Sequence, residues 1–220
     1  MKRLRQQIEN ISHDLRTPLT SMLGYLSLID KDSFNEEDKK SFEIIEKKAK
    51  SLQKLICNFY DLSRLELDDY KLKMERIDIA RILRENLLDA YNQLEESDLE
   101  VKLNVGENSI YTVGDEDAWE RVFQNAITNA LRYAKEYFEI SLHEKKERVV
   151  ITFSNKVENL TNEDVERLFD RFYMSDKSRN SKGTGLGLTI SKLLVENMGG
   201  NVECTLEDNI LKIKYECPLC

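Results

Sequence analysis

His13 and Asp14 are adjacent, and Thr17 follows four residues after the histidine. An imidazole that gives one ring proton to a neighbouring carboxylate becomes a better nucleophile at its other nitrogen, which is the pairing general-base assistance requires. On a helix turning about 100° per residue, His13 projects roughly opposite the stripe of Leu4, Ile8, Ile11 and Leu15, with Thr17 one turn along on its own face. A histidine on a polar face is, taken alone, most simply an incidental surface residue. Pro18 changes the balance. Inside a helical run it removes a backbone N–H and crowds the carbonyl of Asp14, at a cost of about 3 kcal/mol or more. Such a penalty beside a reactive pair is better understood if the bend serves the pair. The sequence therefore predicts a kinked helix that turns a nucleophile toward solvent.

Two further clusters could do chemistry. Asn125, Asn129, Arg132 and Tyr133 fall at spacings that place them on one helical face, while Val122, Ala126, Ile127, Ala130 and Leu131 can fill the apolar face. Two amides beside an arginine offer neutral oxygen ligands for Mg²⁺ and a cation for phosphate. An ordinary polar surface accounts for them equally well. The third cluster is Phe169-Asp170-Arg171-Phe172-Tyr173, a polar stretch over 174–182, and then Gly183-Thr184-Gly185-Leu186-Gly187-Leu188. No Gly-Lys-Ser/Thr follows, so it is not a Walker loop, and it opens from a polar loop rather than a strand, so it is not a dinucleotide fingerprint. Closely spaced glycines entering a helix can still bring backbone N–H groups against phosphate oxygens, with the helix N-terminus adding a favourable field. The alternative is a flexible hinge.

These clusters need a scaffold, and the composition supplies one. The 220 residues are 34% charged and 40% hydrophobic with two prolines and eight glycines, which suits a helix-rich globular protein in two modest domains. The formal net charge of −8 disfavours nucleic acid, whose binders carry a basic stripe. Cys57, Cys204, Cys217 and Cys220 are too sparse for a disulfide scaffold and fit reduced thiols in the cytoplasm. The terminal Cys217-Pro218-Leu219-Cys220 has no second ligand pair to complete a metal shell. No run of about 18 apolar residues appears, so this segment itself is expected to make no membrane contact. Its start inside a helical pattern suits a piece of a longer protein, and an upstream membrane-spanning sensor is compatible with it.

Apolar residues recur at Leu4, Ile8, Ile11, Leu15, Met22, Tyr25 and Ile29, then after a break over 30–35 at Phe42, Ile45, Ala49, Leu52, Ile56 and Phe59. This alternation of fours and threes predicts two long helices, the second capped by Asn35 with Asp38 at its third position. A lone hairpin has too little interior for both stripes, so two copies should pair into a four-helix bundle. From Tyr70 the texture changes. Strands are expected over 71–76 and 99–105, a helix capped by Asp78 through Glu95, and a helix over 115–134. An antiparallel pair follows over 138–143 and 148–154, then a short helix capped by Thr161, a helix over 186–198, and a closing hairpin of 201–206 with 210–216. Strands and helices mix without βαβ repetition, which predicts an α+β sandwich with helices on one face of a sheet. His143, Trp119 and the Lys145-Lys146 and Glu95-Glu96 pairs read as solvated hairpin, core and charged surface.

The segment His13-Asp14-Leu15-Arg16-Thr17-Pro18-Leu19 resembles the H-box of sensor histidine kinases. The resemblance implies His13 as phosphoacceptor, Asp14 as its base, and Thr17 as the residue positioning water when such kinases dephosphorylate their partner. Asn125 to Tyr133 resembles their N-box, which implies Asn129 as principal Mg²⁺ ligand, Asn125 as its helper, and Arg132 with Tyr133 contacting ATP. The stretch from Phe169 to Gly187 is similar to the F-box and G2-box flanking the ATP lid in GHKL ATPases, whose fold is also called Bergerat. It implies phosphate contacts from Gly183, Thr184, Gly185, Leu186 and Gly187, a phosphate or interdomain contact from Arg171, and a mobile lid. One stretch departs from the pattern: Phe153-Ser154-Asn155-Lys156-Val157-Glu158-Asn159 stands where the family has Asp-x-Gly-x-Gly, which puts Asn155 at the adenine-reading position. Its amide can still accept from the adenine amino group.

The resemblance thus implies an all-α dimerisation and histidine phosphotransfer hairpin over 1–67, a homodimer through its four-helix bundle, and a catalytic ATP-binding α+β domain over 70–220. The implied activity is autophosphorylation of His13 with Mg-ATP and transfer to an aspartate of a response regulator receiver domain. The hydrolytic relatives are expected to carry a water-activating glutamate at the position of Asn125, and an amide cannot serve as that base. Two rivals stand beside this reading. One is a degenerate ATP-binding dimeric interaction module without kinase activity, which the missing glycines around Asn155 favour. The other is an ATPase coupling hydrolysis to motion, against which stand the His-Asp-x-x-Thr helix and the amide at 125.

Overall fold

The computed structural model describes residues 2–30, 34–67, 70–174 and 183–220, with the side chains of the first helix from Asp14 onward. The chain divides into two compact units, residues 1–70 and 71–220.

The first unit is a helical hairpin of α1 (Lys2–Ser27) and α2 (Glu36–Glu66). α1 runs through Pro18 without interruption. α2 begins as its sequence predicts: the Asn35 side chain accepts from the N–H groups of Glu37 and Asp38 at 3.0 and 2.9 Å and donates to the Asp38 carboxylate at 2.7 Å. Three acidic residues, Glu36, Glu37 and Asp38, complement the positive end of the helix. Leu19 closes against the hairpin with Phe42, Ile56, Leu62 and Leu65. The heptad stripe divides at this point. Phe42 and Ile56 are buried, but Leu15, Met22, Tyr25, Ile29, Ile45, Leu52 and Phe59 stay exposed, Tyr25 at 73% and Met22 at 59%. The early stripe residues Leu4, Ile8 and Ile11 lie outside the described side chains.

In the second unit a two-stranded sheet pairs β1 (Glu75–Asp78) with β3 (Tyr111–Gly114). A five-stranded sheet has the order β2-β4-β5-β7-β6, with β2 (Glu100–Val105), β4 (Lys135–Lys145), β5 (Arg148–Lys156), β6 (Asn201–Glu207) and β7 (Ile210–Pro218). Only β2 and β4 run parallel; the other neighbours are antiparallel. The helices are α3 (Ile79–Asp89), α4 (Tyr91–Glu95), α5 (Glu116–Tyr133), α6 (Asn162–Arg167) and α7 (Gly187–Asn197). The core is an aromatic chain from helix to sheet: Trp119 and Phe123 on α5, Phe153 on β5, then Phe138 on β4 and Tyr215 on β7, with successive ring centroids 5.5 to 6.2 Å apart. Trp119 is fully buried and His143 is exposed, as expected from the sequence. All four cysteines are free thiols.

The expected strand over 71–76 is instead β1, which starts four residues later and ends two later, because its extent is set by the register Glu75↔Gly114 to Asp78↔Tyr111 with a strand the sequence did not announce. The expected helix from Asp78 to Glu95 is two helices joined at Ala90, where no breaker residue stands. β4 extends beyond the expected 138–143, with a register shift between Lys135 and Phe138 and Glu136 in the left-handed region at φ 65°.

α5 is aimed by its N-cap residue. The buried Asp115 side chain accepts from the Ala118 N–H at 2.9 Å, capping the helix, and from the Lys73 N–H at 2.7 Å, tying it to the start of the unit. Asp115→Ala should therefore lower the unfolding free energy by about 2 kcal/mol, which urea denaturation would measure; an unchanged midpoint would remove Asp115 from this role.

Candidate functional site

α5 buries Val122, Phe123, Ala126, Ile127 and Ala130, while Leu131 is only half-buried. Asn125 and Asn129 flank that buried stripe one turn apart, with Arg132 and Tyr133 a further turn along. Asn125 and Asn129 behave differently. The Asn125 Nδ2 donates to the Gly187 carbonyl and to the Ser191 hydroxyl, both at 3.2 Å, which leaves Oδ1 as its unspent acceptor. Asn129 is half-buried and makes no side-chain hydrogen bond among the described residues. One amide is anchored and the other is available.

The glycines allow α7 to come this close. A Cβ on Gly187 would meet Asn125 Oδ1 at 3.3 Å, and one on Gly183 would meet the Arg132 Nη1 at 3.0 Å and the Tyr133 hydroxyl at 3.1 Å. Gly185 has φ +67°, and a Cβ there would lie 2.7 Å from the Phe172 carbonyl carbon. Phe172, itself at φ 59°, donates its N–H to the Gly185 carbonyl at 3.0 Å. Only glycine fits where two left-handed residues meet so tightly. α7 then starts at Gly187 behind the buried Leu186, with no side chain capping its first turn. Its leading N–H groups can receive an anion, and Gly187 brings them beside Asn125. Thr184 is half-buried between these glycines.

The segment before the glycines is pinned from two sides. The Thr189 hydroxyl donates to the carbonyls of Phe169 at 2.9 Å and Asp170 at 3.2 Å. The Tyr173 hydroxyl donates to Asp164, the third residue of a capping box with Thr161 that starts α6. Tyr173 and then Thr161 hold the Asp164 carboxyl below the usual carboxylate range. Arg167 stacks over the Tyr173 ring at 4.5 Å. Arg171 is exposed at the end of this segment. The expected mobile lid over 174–182 lies, from residue 175, outside the described residues.

Asn155 sits near the end of β5, paired with Phe138 on one side and Leu211 on the other, and is buried at 7% exposure. Its Nδ2 makes one long bond to the Lys156 carbonyl at 3.4 Å, and its Oδ1 accepts none from the described residues. A buried amide with an unspent acceptor can read an amino group. Sequence reasoning missed Thr189 and Ser191; the available signal was two polar residues on the buried side of an otherwise apolar helix.

In the hairpin, Asp14 and Thr17 are both exposed on α1, and the Thr17 carbonyl accepts from the Ser21 hydroxyl at 3.2 Å. His13 is helical; its side chain, expected to face solvent, lies outside the described residues. Arg16 of the same segment stacks over Tyr60 of α2 at 5.4 Å. No group of three or more histidine, cysteine, aspartate or glutamate side chains is placed to hold a metal ion among the described residues, and no described helix is long and apolar enough to cross a membrane.

Two family models match the chain: "His Kinase A (phospho-acceptor) domain" over residues 3–68 and "Histidine kinase-, DNA gyrase B-, and HSP90-like ATPase" over residues 114–214. The chain is 31% identical to the sensor histidine kinase YcbM of Bacillus subtilis over 203 residues, covering 90% of this chain and 65% of that protein. It is 32% identical to the sensor protein VanSC of Enterococcus gallinarum over 222 residues, 99% of this chain and 61% of that one. The chain thus spans less than two thirds of these relatives. Among solved structures, full-length ShkA in complex with AMPPNP aligns over 98% of this chain and 46% of its own length, with a TM-score of 0.83 and 22% identity. The Acinetobacter baumannii histidine kinase AdeS aligns over 94% and 98%, with a TM-score of 0.68 and 22% identity. Both share the fold.

Proposed function

Because this chain belongs to the sensor histidine kinases, we propose that it phosphorylates His13 with Mg-ATP and passes the phosphoryl group to an aspartate of a response regulator receiver domain. The observation that carries the reading is the meeting of the α5 amide face with the uncapped start of α7, in one chain with the His13-Asp14 helix. Residues 1–67 are the dimerisation and phosphotransfer domain and residues 70–220 the catalytic domain.

Each residue takes the task its surroundings suit. Asn129, with its amide uncommitted, and the Asn125 Oδ1 are the oxygen donors for Mg²⁺, whose charge offsets that of the phosphates when it is bound. Arg132 and Tyr133 line the nucleotide, Asn155 accepts from the adenine amino group, and the N–H groups from Gly183 through Gly187 with Thr184 and Leu186 face the phosphates. Arg171 contacts phosphate. A His13 ring nitrogen forms the bond to the γ-phosphorus as the bond to the β–γ bridging oxygen breaks, ADP leaves, and Asp14 takes the ring proton. Asn125 cannot activate water as a glutamate would, so transfer to the imidazole outruns hydrolysis.

The exposed stripe of the hairpin supports a homodimer. Leu15, Met22, Tyr25, Ile45 and Leu52, each about half exposed or more, form an apolar face that an identical hairpin can cover as a four-helix bundle. Use of ATP and the four free thiols support a cytoplasmic site of action for this segment.

Incubation with γ-labelled Mg-ATP should give acid-labile, base-stable label that is absent from His13→Ala; persistent label in that variant would falsify the assignment, and an unlabelled parent chain would leave the degenerate module or the ATPase. In the same assay Thr17→Ala should keep the label but lose dephosphorylation of the receiver domain, and equal phosphatase rates would refute its role. Light scattering at micromolar concentration should return twice the chain mass. A monomer mass would sink the bundle.

A further inference from the structure

The amide of Asn125 could face the site with either end, and its two ends have opposite uses: an oxygen can bind a cation, an NH₂ group repels one. In this structure both hydrogens of Nδ2 are committed to α7, one to the Gly187 carbonyl and one to the Ser191 hydroxyl, each at 3.2 Å. The Gly187 carbonyl is only an acceptor, so a half-turn of the amide would set two oxygens against each other. Ser191 is wholly buried, and so is the neighbouring Tyr215 side chain on β7. The Tyr215 hydroxyl lies beside Ser191 without a hydrogen bond of normal geometry. No bulk water reaches this pocket to replace a lost acceptor.

We propose that Ser191 is a positioning residue for the metal site: buried on α7, it accepts the second amide hydrogen of Asn125 and thereby fixes Oδ1 toward the nucleotide. Ser191 touches neither metal nor nucleotide. It acts through Asn125 by removing the orientational freedom that metal binding would otherwise have to remove. The proposal rests on the reading of Asn125 as a helper ligand of Mg²⁺. It also gives the polar residue at 191 a purpose that helix packing does not, since an apolar side chain would fill the same space between α5 and β7.

The test measures equilibrium binding of a fluorescent ATP analogue to the full chain as Mg²⁺ is titrated, and again in excess chelator. Ser191→Ala should raise the Mg²⁺ concentration for half-maximal binding by about threefold to tenfold while leaving metal-free binding unchanged. The same substitution in an Asn125→Ala background should add nothing, because the residue through which it acts is gone. Ser191→Cys, nearly the same size but a poor acceptor, should behave like Ser191→Ala, which separates the hydrogen bond from the volume lost. A merely structural role would weaken binding with and without metal alike, or equally in both backgrounds, and either result overturns the proposal. So does an unshifted Mg²⁺ dependence in Ser191→Ala when Asn125→Ala shifts it; the metal reading then survives alone. If neither Asn125→Ala nor Asn129→Ala alters the Mg²⁺ dependence, both fall together.

Discussion

α7 must begin within van der Waals reach of α5, and everything the second unit can do with a nucleotide depends on that approach. A side chain at 185 would collide with the Phe172 backbone, and one at 183 or 187 would press on Arg132 and Tyr133 or on the Asn125 amide. Glycine at each position lets the backbone take the place a side chain would have filled. The first turn of α7 thereby starts without a side-chain cap among the described residues. Orphaned donors at a helix start cost stability unless water or an anion satisfies them. The fold thus carries at this junction a cost that bound phosphates can offset.

The rest of the unit holds the junction in place. Asp115 fixes where α5 starts and ties it to Lys73. The aromatic chain from Trp119 to Tyr215 fixes how α5 rolls on the sheet, and that roll sets Asn125 against α7 and leaves Asn129 half-buried one turn on. Thr189 reaches back to the Phe169 and Asp170 carbonyls, so the segments on both sides of 175–182 are fastened to the same helix. The hairpin is organised on a different principle. Its interior is narrow, its second apolar stripe lies open, and Asp14, Arg16 and Thr17 sit on an exposed helical face.

Much of this was legible in the sequence where the cause is local. The cap of α2 follows from Asn35 and Asp38 three residues apart, the face shared by Asn125 and Asn129 from helical period, and the start of α6 from Thr161 and Asp164. The heptads announced two helices, although only the structure separates the stripe into buried Phe42 and Ile56 and exposed Tyr25 and Leu52. What escaped was set by partners distant in the chain. β1 ends where β3 begins, at Asp78↔Tyr111, 33 residues apart in the chain, and starts where β3 ends, at Glu75↔Gly114, 39 residues apart; no alternation within 71–76 could reveal it. Ser191 reads as an unremarkable polar residue until Asn125, 66 positions earlier, is brought against it. The glycines read equally well as a hinge or a cradle until their neighbours were known.

The central claim is that phosphates lie between the first turn of α7 and the amide face of α5. Amide hydrogen exchange of the full chain, with and without a non-hydrolysable ATP analogue and Mg²⁺, tests it most directly. The account predicts slowed exchange at Gly183, Gly185, Gly187 and Leu188 on adding nucleotide, with most of that protection lost when the metal is withheld. Unchanged exchange across 183–188, with protection appearing elsewhere in the unit, would contradict it.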